Sequence, residues 1–130
     1  MVLKSYAKLN LTLNVNKKLK SGLHNIQSIY CLINLHDKIF LKKNKNKYFD
    51  QVSFTGPFSK DINKSNNSVK KVLKVMRKNK IIHDYYSIKV SKKIPVFAGL
   101  GGGTGNAATL FNHFAKKKFN KMIFDRITKE

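Results

Sequence analysis

"PVFAGLGGGTGNAATLF", residues 95–111, sets five glycines among the seven residues 99–105, after a strand-like run and before a helix-like one. Glycine weakens both helices and strands, so a cluster at a helix start signals an unusual turn or a close approach of backbone to a ligand. Unpaired N–H groups at a helix N-terminus, aided by the helix dipole, make an anion site suited to phosphate. Gly99, Gly101, Gly102, Gly103 and Gly105 supply the approach, and Thr104 supplies a hydroxyl for a phosphate oxygen or a magnesium ion. A flexible loop without a ligand is the competing reading. Two familiar motifs fail by counting. No lysine follows any of these glycines, as a Walker A loop requires, and the G-x-G-x-x-G frame ends on Thr104 or Asn106.

Outward from the turn, Ala107, Leu110, Phe111 and Phe114 keep helical spacing, with Lys116, Lys117 and Lys118 where a helix C-terminus favours cations. A last short helix is expected over 120–128. Upstream, Val69, Val72, Leu73 and Met76 repeat at i, i+3, i+4 and i+7 behind the cap candidates Asn66, Asn67 and Ser68. Ala7 to Val15 alternates, which predicts a strand burying Ala7, Leu9, Leu11, Leu13 and Val15, with Lys8 and Asn10 together on the polar face. Residues 17–22 read as a turn. Strands are expected at 26–35, 38–41, 52–55 and 86–90, with 42–50 as an exposed loop. Mixed strands and helices without regular βαβ alternation predict an α+β fold in one domain.

The chain has 130 residues and a formal net charge of +21. Such an excess is the usual footprint of a nucleic-acid binder, but 25 of its 27 basic residues are Lys and two are Arg, the residue favoured for bidentate phosphate and base contacts. With 14 Asn and 11 Ile, the charge fits lysine drift at solvated positions better than a dedicated nucleic-acid surface. No apolar run reaches the roughly 18 residues that span a bilayer, and no export signal is read at the N-terminus. The single cysteine, Cys31, and the spread of His24, His36, His83 and His113 imply neither an internal disulfide nor a metal site. A cytoplasmic protein without membrane partners is the expectation.

"PVFAGLGGGTGNAATL" resembles the P-x-x-x-G-L-G-G-G-S-S-N-A-A signature of the GHMP kinases, in the branch that phosphorylates a cytidine-diphosphate-linked methylerythritol in non-mevalonate isoprenoid precursor synthesis. "YAKLNLTLNV" is similar to that branch's opening strand, "SGLHNIQSIY" to its D-G-Y-H-x-[IL]-Q segment, and "KSNNSVKKVLKVM" to its D-N-L-[IV] helix start. The resemblance implies an N-terminal domain of the ribosomal protein S5 domain 2-like type, with ATP and Mg2+ as cofactors and a small-molecule alcohol as substrate. By the same resemblance Lys8 is the catalytic lysine, Asn10 and His24 are substrate ligands, and Asn67 and Lys92 lie near the nucleotide base. Pro95, Gly99, Leu100, Gly101, Gly102, Gly103, Thr104, Gly105 and Asn106 form its nucleotide loop.

Four departures stand out. Tyr6 replaces a proline, Leu23 an aromatic that stacks on cytosine, Thr104 and Gly105 a Ser-Ser pair, and Ser68 a leucine beside the adenine. The family's catalytic aspartate lies in a G-A-D-V-P-V-F segment beyond the glycine loop, which residues 1–130 do not contain, and Asp125 in "IFDRIT" is a poor substitute. The resemblance therefore implies an N-terminal ATP-binding domain over 1–130 without its C-terminal domain, inactive alone, whether through a truncated reading frame, a split gene that leaves the other half on a separate chain, or because the sequence is a piece of a longer one. The alternatives are another small-molecule GHMP kinase, a basic S5-like RNA-binding module, and a fragment with no function of its own.

Overall fold

A computed structural model describes residues 1–45 and 48–115. Two long strands, β1 (Val2–Lys18) and β2 (His24–Asn44), form an antiparallel hairpin, followed by β3 (Gln51–Thr55), α1 (Ser68–Lys78), β4 (Tyr85–Ser91) and α2 (Gly102–Ala115). The sheet runs β1-β2-β4-β3, with β2 antiparallel to β4 and β3 parallel to it. Parallel neighbours need a crossover, and α1 provides it. The expected α+β class is observed.

Both helices lie on one face of the sheet. Ile39 and Leu41 of β2 sit opposite Val90 and Ile88 of β4, and on them pack Val69, Leu73 and Met76 of α1 and Leu110, Phe111 and Ala115 of α2. Alternate residues such as Phe40 and Lys89 face outward, as a period of two requires. The α1 stripe matches the sequence expectation. Its N-cap is Asn67, whose Oδ1 accepts from the Lys70 N–H at 3.0 Å. Its C-terminus closes with Ile81 N–H donating to Met76 O and Lys80 N–H to Arg77 O, Lys80 taking a left-handed φ of 56° where glycine is usual.

The hairpin differs from the sequence reading in three ways. Residues 26–35 and 38–41 are one continuous strand, which also takes in the first residues of the expected loop at 42–50, because a two-residue irregularity at Asn34 and Leu35 is absorbed within the ladder. Second, Leu11 is an extra residue on β1: Asn10 pairs with Tyr30 but Thr12 with Ile29, which places Asn10 and Thr12 on opposite faces and slips the alternation by one. The Thr12 hydroxyl accepts the Ile29 N–H at 3.1 Å at this point. Third, of the five residues expected on a buried face only Ala7 is buried. Leu9, Leu11, Leu13 and Val15 are 40–61% exposed, as are Leu23, Ile26, Ile29 and Leu32 across the hairpin at 56–68%, since the distal hairpin extends past the helices. Lys116, Lys117, Lys118, Asp125 and the expected helix at 120–128 lie outside the described residues. Among the described residues no helix is long and apolar enough to cross a membrane.

Leu73→Ala should destabilise the fold by about 2–5 kcal/mol through the cavity it leaves, whereas Asn67→Ala should cost about 1 kcal/mol through the lost cap. Denaturant titration reads both, and a reversed order would contradict this packing.

Candidate functional site

The α1 and α2 N-termini open onto one cavity of about 430 Å³, lined by Asn66, Asn67 and Ser68 at the start of α1 and by Gly101, Gly102, Gly103 and Thr104 at the start of α2. The first N–H groups of each helix lack intrahelical acceptors, and the positive ends of two helix dipoles therefore favour an anion here. Lys92, Pro95, Gly99, Leu100 and Asn106 also line it, with the carboxylate Asp61 on the α1 side and with Phe97, which stands 95% exposed at a left-handed φ of 63°. The volume suits a small organic ligand.

Left-handed residues at Phe97, Gly99 and Gly101 turn the chain from β4 into α2. Gly101, at φ 67°, is where a side chain would strain the backbone. At Gly102 the reason is space: an added Cβ would lie 3.0 Å from Ile94 Cγ2 and 3.1 Å from Lys92 Nζ. Thr104 holds its hydroxyl at the exposed first turn of α2. Gly105 is absent from the lining and packs toward Ser5 of β1, its N–H donating to Gly101 O at 2.7 Å.

Lys8 meets the turn from the side. Its N–H donates to Leu100 O at 3.0 Å, joining edge strand β1 to the glycine turn, and its Nζ stands 5.4 Å from the centre of the Tyr30 ring. Asn10 follows on the same face, half-buried. His24 does not join them. It is exposed and pairs with Lys18, ten residues beyond Lys8 along the hairpin.

Three cavity residues, Asn67, Lys92 and Asn106, have other duties. Asn67 caps α1 and donates to Asn63 O at 3.1 Å. Lys92 is 3% exposed, and its ammonium forms an ion pair with Asp37, which is fully buried. Asp37 also accepts from the Lys93 and Ile94 N–H groups at 2.7 and 2.9 Å and from Asn106 Nδ2 at 3.0 Å. The sequence reading passed over Asp37. Its signal was a lone carboxylate inside the apolar run "INLHDKIFL", in a chain with six acidic residues.

At the far end of the β2–β4 ladder two pKa values are displaced. Lys43 is raised by its hydrogen bond to Asp84, and Tyr86 is raised by burial and by the Asp84 charge. Among the described residues no group of three or more His, Cys, Asp or Glu side chains can hold a metal ion.

A glycine turn between a strand and a helix N-terminus, flanked by a lysine-bearing edge strand, agrees with the comparison to known proteins. Residues 67–125 match the family model described as the GHMP kinases N terminal domain. Residues 67–125, from the α1 cap through the glycine turn, are therefore similar to a GHMP kinase N-terminal domain. It is 46% identical over 121 residues to a protein of Pelagibacter ubique (strain HTCC1062) named 4-diphosphocytidyl-2-C-methyl-D-erythritol kinase, covering 92% of this chain and 42% of that one. The domain fold is similar to a crystal structure of 4-(cytidine 5'-diphospho)-2C-methyl-D-erythritol kinase, with TM-score 0.64 and 21% identity over 98% of this chain and 46% of the other. It is equally similar to mevalonate pyrophosphate decarboxylase from Streptococcus pyogenes, with TM-score 0.65 and 12% identity over 98% of this chain and 41% of that one. These two likenesses establish the fold alone. The chain spans about two fifths of the length of the curated relative and less than half of the solved chains.

Gly101→Ala should cost roughly 1–2 kcal/mol through left-handed strain, and Gly102→Ala about 1–3 kcal/mol through overpacking against Ile94 and Lys92. Thermal denaturation checks both. Gly103→Ala, whose Cβ would stand 3.4 Å from Ser68 Oγ, should be milder than either.

Proposed function

We propose that the domain binds ATP at the glycine turn and serves the phosphorylation of 4-diphosphocytidyl-2-C-methyl-D-erythritol, a step of non-mevalonate isoprenoid precursor synthesis, in the cytoplasm. The observation that carries this reading is the convergence of two helix N-termini and a glycine turn on one cavity with Lys8 beside it. The names of the similar proteins point to the cytidine substrate.

When bound, ATP supplies the γ-phosphoryl that passes to the alcohol oxygen, with ADP as leaving group. N–H groups of Gly102, Gly103 and Thr104 hold the phosphates, and the Thr104 hydroxyl is placed to reach a phosphate oxygen or the accompanying Mg2+. Pro95, Gly99, Leu100 and Asn106 shape the turn, while Asn67 and Lys92 border the nucleotide. The Lys8 ammonium neutralises charge that develops on the transferred group. Asn10, on the same face, orients the hydroxyl, and His24 meets the cytosine end. An extended substrate is needed to reach both His24 and Lys8, and a diphosphate-linked nucleoside alcohol is of that kind. Asp37 is buried and engaged by four donors, so it is no base for the hydroxyl proton. We assign that base, and the C-terminal GHMP domain, to polypeptide outside residues 1–130, whether continuous with this chain or separate from it.

Magnesium ATP at a hundred times its dissociation constant should stabilise the folded chain by about 2.7 kcal/mol. The cytidine substrate should raise the thermal midpoint where mevalonate or homoserine does not, and a shift with either of those instead would point to another small-molecule GHMP kinase. In a preparation that transfers phosphoryl, Lys8→Ala should lower kcat by on the order of 100-fold or more while leaving ATP affinity nearly unchanged. Equal losses in affinity and kcat would assign Lys8 to binding.

A further inference from the structure

The glycine-rich segment 95–105, a turn over 95–101 that runs into the first residues of α2, is bounded on both sides by ligands of one side chain. Before it, Lys93 and Ile94 donate their N–H groups to Asp37 Oδ1 at 2.7 and 2.9 Å, and the Lys92 ammonium pairs with Oδ2. After it, Asn106 Nδ2 donates to Oδ2 at 3.0 Å. Asp37 is 0% exposed, Asn106 2% and Lys92 3%. Asn106 Oδ1 meets no protein donor, so the contact with Asp37 is what orients its amide.

A turn with left-handed residues at 97, 99 and 101 keeps one shape only if its ends are held at one separation, and a single rigid carboxylate in the middle of β2 holds both. We propose that Asp37 is a positioning residue for a polyphosphate at the glycine turn: it clamps the two ends of the turn and thereby aims the first N–H groups of α2. This rests on the nucleotide reading given above. Asp37 does not touch the phosphates, and its own charge opposes theirs. Preorganisation is its contribution, because a cradle already formed loses less freedom on binding.

That opposition makes the sign of the effect decisive. Asp37→Asn removes a negative charge near the site and leaves the Lys92 ammonium uncompensated, so electrostatics alone makes ATP bind more tightly. A lost clamp makes ATP bind more weakly. Asp37→Glu keeps the charge and displaces the clamp, so it changes geometry without that electrostatic gain.

The test is calorimetric titration of wild-type chain, Asp37→Asn and Asp37→Glu with magnesium ATP and, separately, with adenosine, at a temperature where circular dichroism shows each protein fully folded. ATP affinity should fall at least about tenfold in both variants, as for a misplaced binding constellation, and by clearly more than adenosine affinity, which reads only the base end bordered by Lys92. A merely structural role lowers the thermal midpoint and moves neither dissociation constant of the folded protein. Unchanged or tighter ATP binding in the variants, or an equal loss for ATP and adenosine, overturns the proposal. If Asp37→Asn does not fold, Asp37→Glu alone decides by the same criteria. Wild-type chain that binds no ATP overturns the nucleotide reading and this proposal with it, whereas wild-type binding with unaffected variants overturns only the proposal.

Discussion

Asp37 is the carboxylate around which the site end of this domain is organised. A buried charge is tolerated only when it is paired and hydrogen-bonded, and here an ammonium, two backbone N–H groups and an amide meet that demand. These donors come from the segment after β4 and from the first turns of α2, so satisfying one residue of β2 determines how the chain travels between them. The Lys8 N–H bond to Leu100 O adds the edge strand to the same assembly. The cavity then takes its shape from polar contacts, and the apolar core needs only to hold the helices on the sheet.

The core does so with few residues. Val69, Leu73 and Met76 on α1 and Leu110, Phe111 and Ala115 on α2 press against Ile39, Leu41, Ile88 and Val90. Both helices are thereby held on one face, with their N-termini at the same side of the sheet. Two positive helix ends beside a glycine turn favour an anion by geometry, in a protein whose surface lysines alone would attract anions without discrimination.

Much of this was legible in the sequence, and the exceptions share a cause. The α1 stripe and its Asn67 cap and the positions of β3 and β4 are local patterns, and each is where periodicity and capping place it, whereas α2 begins earlier than its apolar spacing shows, at Gly102 inside the glycine run. The hairpin departs from its sequence pattern because alternation assumes a ladder without extra residues. One inserted residue at Leu11 shifts every later side chain to the other face, and only the partner strand reveals it. Burial departs from the pattern along the same stretch, since an alternating strand buries a face only where something lies against it.

For the candidate site the division is similar. The spacing of Gly99, Gly101, Gly102, Gly103 and Gly105 before an apolar helix, and of Lys8 and Asn10 on one strand face, was readable from the chain alone because backbone freedom and the two-residue strand period are local properties. That Lys92 is committed to an ion pair, that Asp37 exists as its partner 55 residues earlier, and that His24 lies far out on the hairpin are facts of tertiary structure. The reason is physical: whether a charge can be buried depends on donors brought from distant segments, and no local pattern in the chain states which segments will meet.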